Sequence, residues 1–314
     1  MTTVYSANPH RSHRISRQKR KRALFIVLML AFPLLQFAVF FLYVNFDSVV
    51  MTFQNIDYDT QRVIWTTENY RRFFYELNHL EQLKNAIGNS LLFGLNDLLL
   101  TLISTVLAYF FYKRAPGVKV YRVIYFLPSI ISIVIYTTVY KYMWDPDIGI
   151  ADAILKGVGL GFLIPANGWL GSVAGAKFLL CFYCIWVGTG YNILILGGAM
   201  SNIDTSVMEY ARLDGVGMWR EFWQIVVPLI WPTLEVALLG NFATIFTFFL
   251  QVQLITGGGP DQSSQTIAYL INANVNNSNM YWASTIGICF SVFAIPLILL
   301  LRYLFERIGK KLGF

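Results

Sequence analysis

The sequence predicts an all-α, polytopic membrane bundle of about six transmembrane helices, with both termini on the cytoplasmic side. Three observations predict it. The 314 residues are 56% hydrophobic and 13% charged, whereas soluble domains carry roughly 25% charged residues. Six mainly apolar runs approach or reach the about 20 residues that a helix needs to cross a bilayer. Basic residues concentrate in the segments that this topology puts inside.

The elements follow in chain order. His10, Arg11, His13, Arg14 and Arg17, then Lys19-Arg20-Lys21-Arg22, directly precede the first apolar run. That is where a positive-inside flank belongs, so residues 1–22 read as a basic cytoplasmic tail. The net charge of +7 therefore points to orientation and away from nucleic acid. Span one, 23–44, is too long for a signal-peptide core and lacks a small-residue cleavage pattern, so an uncleaved anchor is predicted. The other spans are 87–112, 123–140, 178–196, 234–255 and 283–305, and 23–314 forms a single membrane domain. The inside segments hold 17 Lys and Arg, the outside segments 7. The outer 45–85 segment keeps Arg62, Arg71 and Arg72 beside Asp57, Asp59, Glu68 and Glu76, so the first anchor must dominate orientation. Within it, Glu68–Leu83 reads as an interfacial amphipathic helix with Tyr70, Phe73, Phe74 and Leu77 on one side.

Some motifs carry little. Cys181 and Cys184 form a CxxC inside an apolar run with no second pair or ligand set, so no metal site is assigned. Asn276-Asn277-Ser278 matches a glycosylation sequon and is read as chance. The chain has no phosphate-cradling G-x-x-x-x-G-K-[ST] loop, so any ATP and Mg would be held by another subunit and no cofactor is assigned to this chain. The absence of HExxH, of G-x-S-x-G and of histidine inside a span argues against a membrane enzyme.

Between spans four and five, the segment EYARLDGVGMWREFWQIVVPL (209–229) carries five charges among apolar neighbours. Ser206 and Glu209 have capping-box spacing, which predicts a helix to about Leu213. Gly215 and Gly217 permit a sharp turn. A second helix, about Met218–Val227, is predicted to end before Pro228. Tyr210, Ala211, Leu213 and Val216 offer an apolar face, and Arg220 and Glu221 a solvated one. Such an apolar face wants a partner.

Polar groups inside spans usually face a cavity or a neighbouring helix. Asp97, beside Asn96, reads either as a substrate-pathway carboxylate or as an interhelix hydrogen bond. Asn192, Asn241, Gln251, Gln253 and Gln36 are further candidates. Gly257-Gly258-Gly259-Pro260 reads as a tight turn on the outer side.

The spacing Glu209-x-Ala211-x3-Gly215-x9-Ile225-x2-Pro228, with Asp214 before Gly215, resembles the EAA loop of ABC importer permeases. Tyr210 and Val227 depart from that pattern, which expects Ala and Leu. The resemblance runs from about Asn69 to Tyr303. YRVIYFLP (121–128), WDPDIGI (144–150), LITGGGP (254–260) and Asn89-Ser90 resemble segments of carbohydrate permeases of the maltose and glycerol-phosphate type, in the right order.

The resemblance implies a transport subunit rather than an enzyme, in a bacterial-type cell membrane. The implied partners are a second homologous permease, two ATPase subunits that bind ATP and Mg, and an extracytoplasmic solute-binding protein. It implies that Glu209, Tyr210, Ala211, Asp214, Gly215, Ile225 and Pro228 contact the ATPase. Gly257, Gly258, Gly259 and Pro260 would contact the binding protein. A carbohydrate, expected to be an oligosaccharide, is the implied cargo. The alternatives are a non-sugar solute such as glycerol phosphate, or a proton-coupled secondary transporter built on Asp97.

Overall fold

The apolar runs become long helices because, in a bilayer, backbone groups must be satisfied within each segment. A computed structural model describes residues 9–57 and 62–313, with side chains from Lys19 onward. The tail side chains His10–Arg17, and Asp59, lie outside the described residues. The chain divides into two compact units, Met1–Thr66 and Thr67–Phe314.

The first unit holds α1 (Pro9–Gln36), a π-helical stretch Phe37–Tyr43, and α2 (Val44–Met51). These run as one apolar helix over Lys19–Met51, longer than the expected 23–44. Pro33 removes one backbone donor, and the register shifts to the π form just after it. Leu24 to Tyr43 expose apolar side chains all round, Gln36 among them in an exposed position, the pattern of a membrane span. An antiparallel hairpin, β1 (Gln54–Ile56) with β2 (Val63–Trp65), pairs Asn55 with Ile64.

The second unit is helical throughout. It comprises α3 (Glu68–His79), α4 (Glu81–Tyr112), α5 (Val118–Ile130), α6 (Ile133–Met143), α7 (Ile150–Gly157), α8 (Gly168–Gly171) and α9 (Val173–Ser201). Then come α10 (Thr205–Leu213), α11 (Met218–Glu221), α12 (Val227–Phe242), α13 (Ile267–Asn276) and α14 (Met280–Leu312). The core is α4 against α9, flanked by α5, α12 and α14.

Three expectations need correction. Span three is not one helix: α5 and α6 bend by 111° at Ile131 and Ser132, where Ile131 is extended at φ −78°, ψ 143°. Pro128 sits three residues before, so the last turn of α5 has already lost a backbone donor. Span five is displaced. It runs Met218–Phe246 instead of 234–255 and stops where Thr247 leaves the helical region at φ −122°. The amphipathic helix ends at His79 because Leu80 is extended. Its Phe73 is buried, but Phe74 faces out, and Arg72 lies over the Trp282 ring at 4.3 Å. Finally, the interval between the expected fifth and sixth spans holds a further helix, α13. Its polar start hides a helix that Thr266 caps by accepting from the Tyr269 amide.

Candidate functional site

Three places bring the singled-out residues together. The first is the α10–α11 segment. Asp204 is the residue that caps α10, its carboxylate accepting from the Ser206 amide at 2.9 Å. That hydrogen bond holds the Asp204 carboxyl below its usual range. The expected Ser206/Glu209 box is therefore wrong: Ser206 already lies inside the helix, because Asp204, two residues earlier, is the cap. Helix α10 ends in a Schellman motif. Val216 donates to the Ala211 carbonyl at 3.0 Å and Gly215 to that of Arg212 at 3.1 Å, with Gly215 at φ +65°. Gly217 is extended at φ −68° and starts α11, so the turn needs only one left-handed glycine.

The exposed apolar face also differs from expectation. Ala211 is buried, and so is Met208, which packs in the cluster that holds Tyr109, Phe222 and Val226. The outward residues are Val207, Tyr210 and Leu213, the last 82% exposed. Their three-residue spacing puts them along one side of the helix, with Glu209 and Arg212 exposed beside them. Helix α11 does not end before Pro228. It passes through a π turn, Phe222–Val226, into α12. Pro228 is tolerated because it stands in the first turn after the π register, where its missing donor has little to lose. Ile225 is half-buried on this turn and Pro228 follows it. Arg220 is solvated as expected and pairs with Gln224 at 2.8 Å, whereas Glu221 is buried.

The second place is mid-bundle. Asp97 is 6% exposed and Asn192 3%. The Asn241 amide nitrogen donates to Thr101 Oγ1 at 2.7 Å and to Asn192 Oδ1 at 2.8 Å. Thr244 donates to the Asp97 carboxylate. Asn192 donates back to the Gly188 carbonyl at 3.0 Å. The geometry thus ties α4, α9 and α12 together through Asp97, Asn192 and Asn241, the interhelix reading of these residues. Thr101 and Thr244 were missed. Each lies three or four residues from a residue that was named, on the same helix, and that spacing was the available signal. Asn96 makes a longer bond to the Cys181 carbonyl, 3.3 Å, outside the network. Gln251 and Gln253 lie at the π stretch Val252–Thr256, beyond the break, and the described hydrogen bonds do not bring them in.

Interhelix hydrogen bonds inside membranes average about 0.6 kcal/mol, and an orphaned buried acceptor costs about 1–3 kcal/mol. Asn241→Leu is therefore expected to destabilise the folded chain by about 2 kcal/mol. Asn96→Leu should cost about 0.5 kcal/mol. Denaturant titration in detergent, followed by a helix signal, checks the order; equal losses would refute the network.

The third place is the Gly-rich turn. Gly257, Gly258 and Gly259 all have positive φ, at 61°, 100° and 77°, and Pro260 opens a short 3-10 turn. The segment after it is fastened to the start of α4. Asn89 donates to the Ser263 and Gln265 carbonyls at 2.6 and 2.8 Å, and Ser90 Oγ accepts from the Ile267 amide at 3.0 Å. Asn89-Ser90 thus receives the chain just before α13.

Residues 83–313 match a family described as "Binding-protein-dependent transport system inner membrane component". The chain is 26% identical over 287 residues to "Probable ABC transporter permease protein YurN" of Bacillus subtilis, covering 89% of this chain and 95% of that one. It is 24% identical to "Multiple sugar-binding transport system permease protein MsmF" of Streptococcus mutans, covering 86% and 91%. It is 25% identical to "sn-glycerol-3-phosphate transport system permease protein UgpA" of Shigella flexneri, covering 78% and 81%. Its fold is similar to that of a chain in the "Crystal structure of a bacterial ABC transporter involved in the import of the acidic polysaccharide alginate", at a TM-score of 0.77 and 22% identity, covering 93% and 98%.

Proposed function

Because the chain belongs to the family of inner membrane components of binding-protein-dependent transport systems, we propose that it forms half of a translocation pathway for an oligosaccharide. It is a multi-pass membrane permease subunit, a transport component rather than an enzyme. The other half is a second, homologous permease that is a different gene product. Two ATPase subunits, carrying ATP and Mg, sit at the cytoplasmic side with both termini of this chain. An extracytoplasmic binding protein delivers the solute and touches Gly257–Pro260.

The observation that carries this reading is the α10–Gly215–α11 segment. It presents Val207, Tyr210 and Leu213 as an unpartnered apolar face flanked by charge, on a turn whose geometry is fixed by its own backbone bonds. Glu209, Tyr210, Asp214 and Gly215 are the contact residues, while Ala211, Ile225 and Pro228 anchor them to the bundle. A chain without a nucleotide-binding loop that is driven by ATP must receive that energy through such a contact. The relative named for multiple-sugar transport supports a carbohydrate cargo, and the one named for glycerol phosphate sets the alternative solute. Asp97 and Asn192 with Asn241 border the pathway. Asn96, Gln251 and Gln253 are the polar groups left to meet solute hydroxyls.

A mild-detergent pull-down tests the reading. The native chain should recover an ATP-binding-cassette subunit, identified by mass spectrometry. Leu213→Asp should lower that recovery about tenfold with the chain itself still folded, because burying an unpaired carboxylate in the interface is costly. Recovery of no such subunit with the native chain would refute the reading and leave proton-coupled transport through Asp97 to be tested.

A further inference from the structure

The α10–α11 segment and α4 meet at a charged pair. Glu221, the last residue of α11, is 4% exposed. Its carboxylate is ion-paired with Nζ of Lys113, the residue that closes α4. One turn earlier on α4, the fully buried Tyr109 shares its hydroxyl proton between Glu221 Oε1 at 3.0 Å and the Met218 carbonyl at 3.2 Å. Lys113 Nζ lies 5.7 Å from the Tyr109 ring centroid, and Phe222 packs on that ring at 5.0 Å.

Apolar packing alone would hold these helices together. Taking the Glu221 carboxylate out of water is costly even with the partly exposed Lys113 beside it, and apolar replacements of a buried pair are often at least as stable. A charge pair with one buried member instead fixes one register, since sliding either helix strands the Glu221 carboxylate without its partner. The pair sits where register matters. Glu221 stands directly before the π turn, where the backbone ladder of the Met218–Phe246 helix changes register. Lys113 also suits the negative end of the α4 dipole, which strengthens its hold. Along α4, Thr101 of the polar network lies eight residues before Tyr109, about 12 Å at the helical rise.

We propose that Lys113, Glu221 and Tyr109 form a strut that passes movement of the α10–α11 segment into α4. They are positioning residues, and the proposal rests on the reading of that segment as the ATPase contact. Replacing Lys113 by methionine or Glu221 by glutamine keeps size and loses one charge, so the strut slips while the apolar packing stays.

The test uses the assembled importer, purified with its ATPase subunits, and a chain whose three cysteines are replaced by alanine. One pair of spin labels, Leu95→Cys with Val292→Cys, reports α4 against α14 at exposed positions. A second, Thr205→Cys with Leu299→Cys, reports α10 against α14. Trapping with ATP, Mg and vanadate should shift both label distances in the otherwise native complex by about 2 Å or more. In Lys113→Met and Glu221→Gln the α10 shift should persist and the α4 shift should vanish. The exchange Lys113→Glu with Glu221→Lys should restore it. An α4 shift that survives both single variants overturns the proposal, as does an α4 that never moves in the native complex. Loss of ATPase subunits from the single variants also overturns it, since the pair would then only hold the segment in shape. Failure of the native chain to recover an ATPase is a different result and refutes the reading beneath the proposal.

Discussion

Gly215→Val is expected to abolish ATP-driven transport while leaving the amount of chain in the membrane within about twofold, and Gly215→Asn to keep most of the activity. The reason is backbone conformation. Gly215 stands at φ +65°, and a Cβ built there meets no atom within 4 Å, so crowding is not the obstacle. An L-residue in the left-handed region costs about 1–2 kcal/mol, and a β-branched one is a genuine outlier there. Asn tolerates that region. The two bonds from Gly215 and Val216 back to Arg212 and Ala211 would open in the valine variant and turn Leu213 and Asp214 away from their partner. Binding-protein-stimulated ATP hydrolysis, measured on the purified complex, separates the two variants. Equal activity in both would mean that the turn is not under conformational control.

The second large effect is steric. Gly190 on α9 faces α5 so closely that a Cβ would lie 2.3 Å from the Tyr125 carbonyl oxygen. The obstacle is backbone, which cannot rotate aside. Gly190→Ala must push α5 and α9 apart, a change expected to cost about 1–3 kcal/mol. Gly198, two turns further along α9, has nothing within 4 Å of its Cβ position. Gly198→Ala should therefore stabilise by up to about 1 kcal/mol, the helix-propensity difference. Thermal unfolding of both variants in one detergent gives the comparison. A Gly190→Ala chain as stable as Gly198→Ala would show that the α5–α9 crossing is looser than its geometry.

These positions mark what a reader of the sequence can and cannot see. Membrane helices are legible because a run of apolar residues long enough to cross is a length signal, which neighbours do not alter. The left-handed turn at Gly215 was legible because its chemistry is local, whereas the fastening of Asn89-Ser90 to Ser263, Gln265 and Ile267 was not, since those partners lie more than 170 residues away. Other features depend on what another helix does. Glu221 looks like surface from its sequence context, since its partner Lys113 is more than a hundred residues away. The same holds for Met208, whose buried side is decided by packing with Tyr109 and Phe222. Capping went wrong for a narrower reason. Both Asp204 and Ser206 are good caps, and only the chain path out of α9 selects Asp204. The break in span three hid because Ile131 and Ser132 sit inside an unbroken apolar run, where hydropathy is blind to a bend.

Helix Met218–Phe246 has 29 residues and does not stop at Pro228. It makes a single lever about 43 Å long at the helical rise. A partner pressing near Met218 works at one end, while Thr244, which holds the Asp97 carboxylate, rides close to the other. If the pivot lies near one end, a tilt of about 5° sweeps the far end through about 4 Å, more than the length of a hydrogen bond. With the proposed ATPase contact at the Met218 end, small strokes outside the bilayer would be geared up at the depth of the Thr244–Asp97 hydrogen bond.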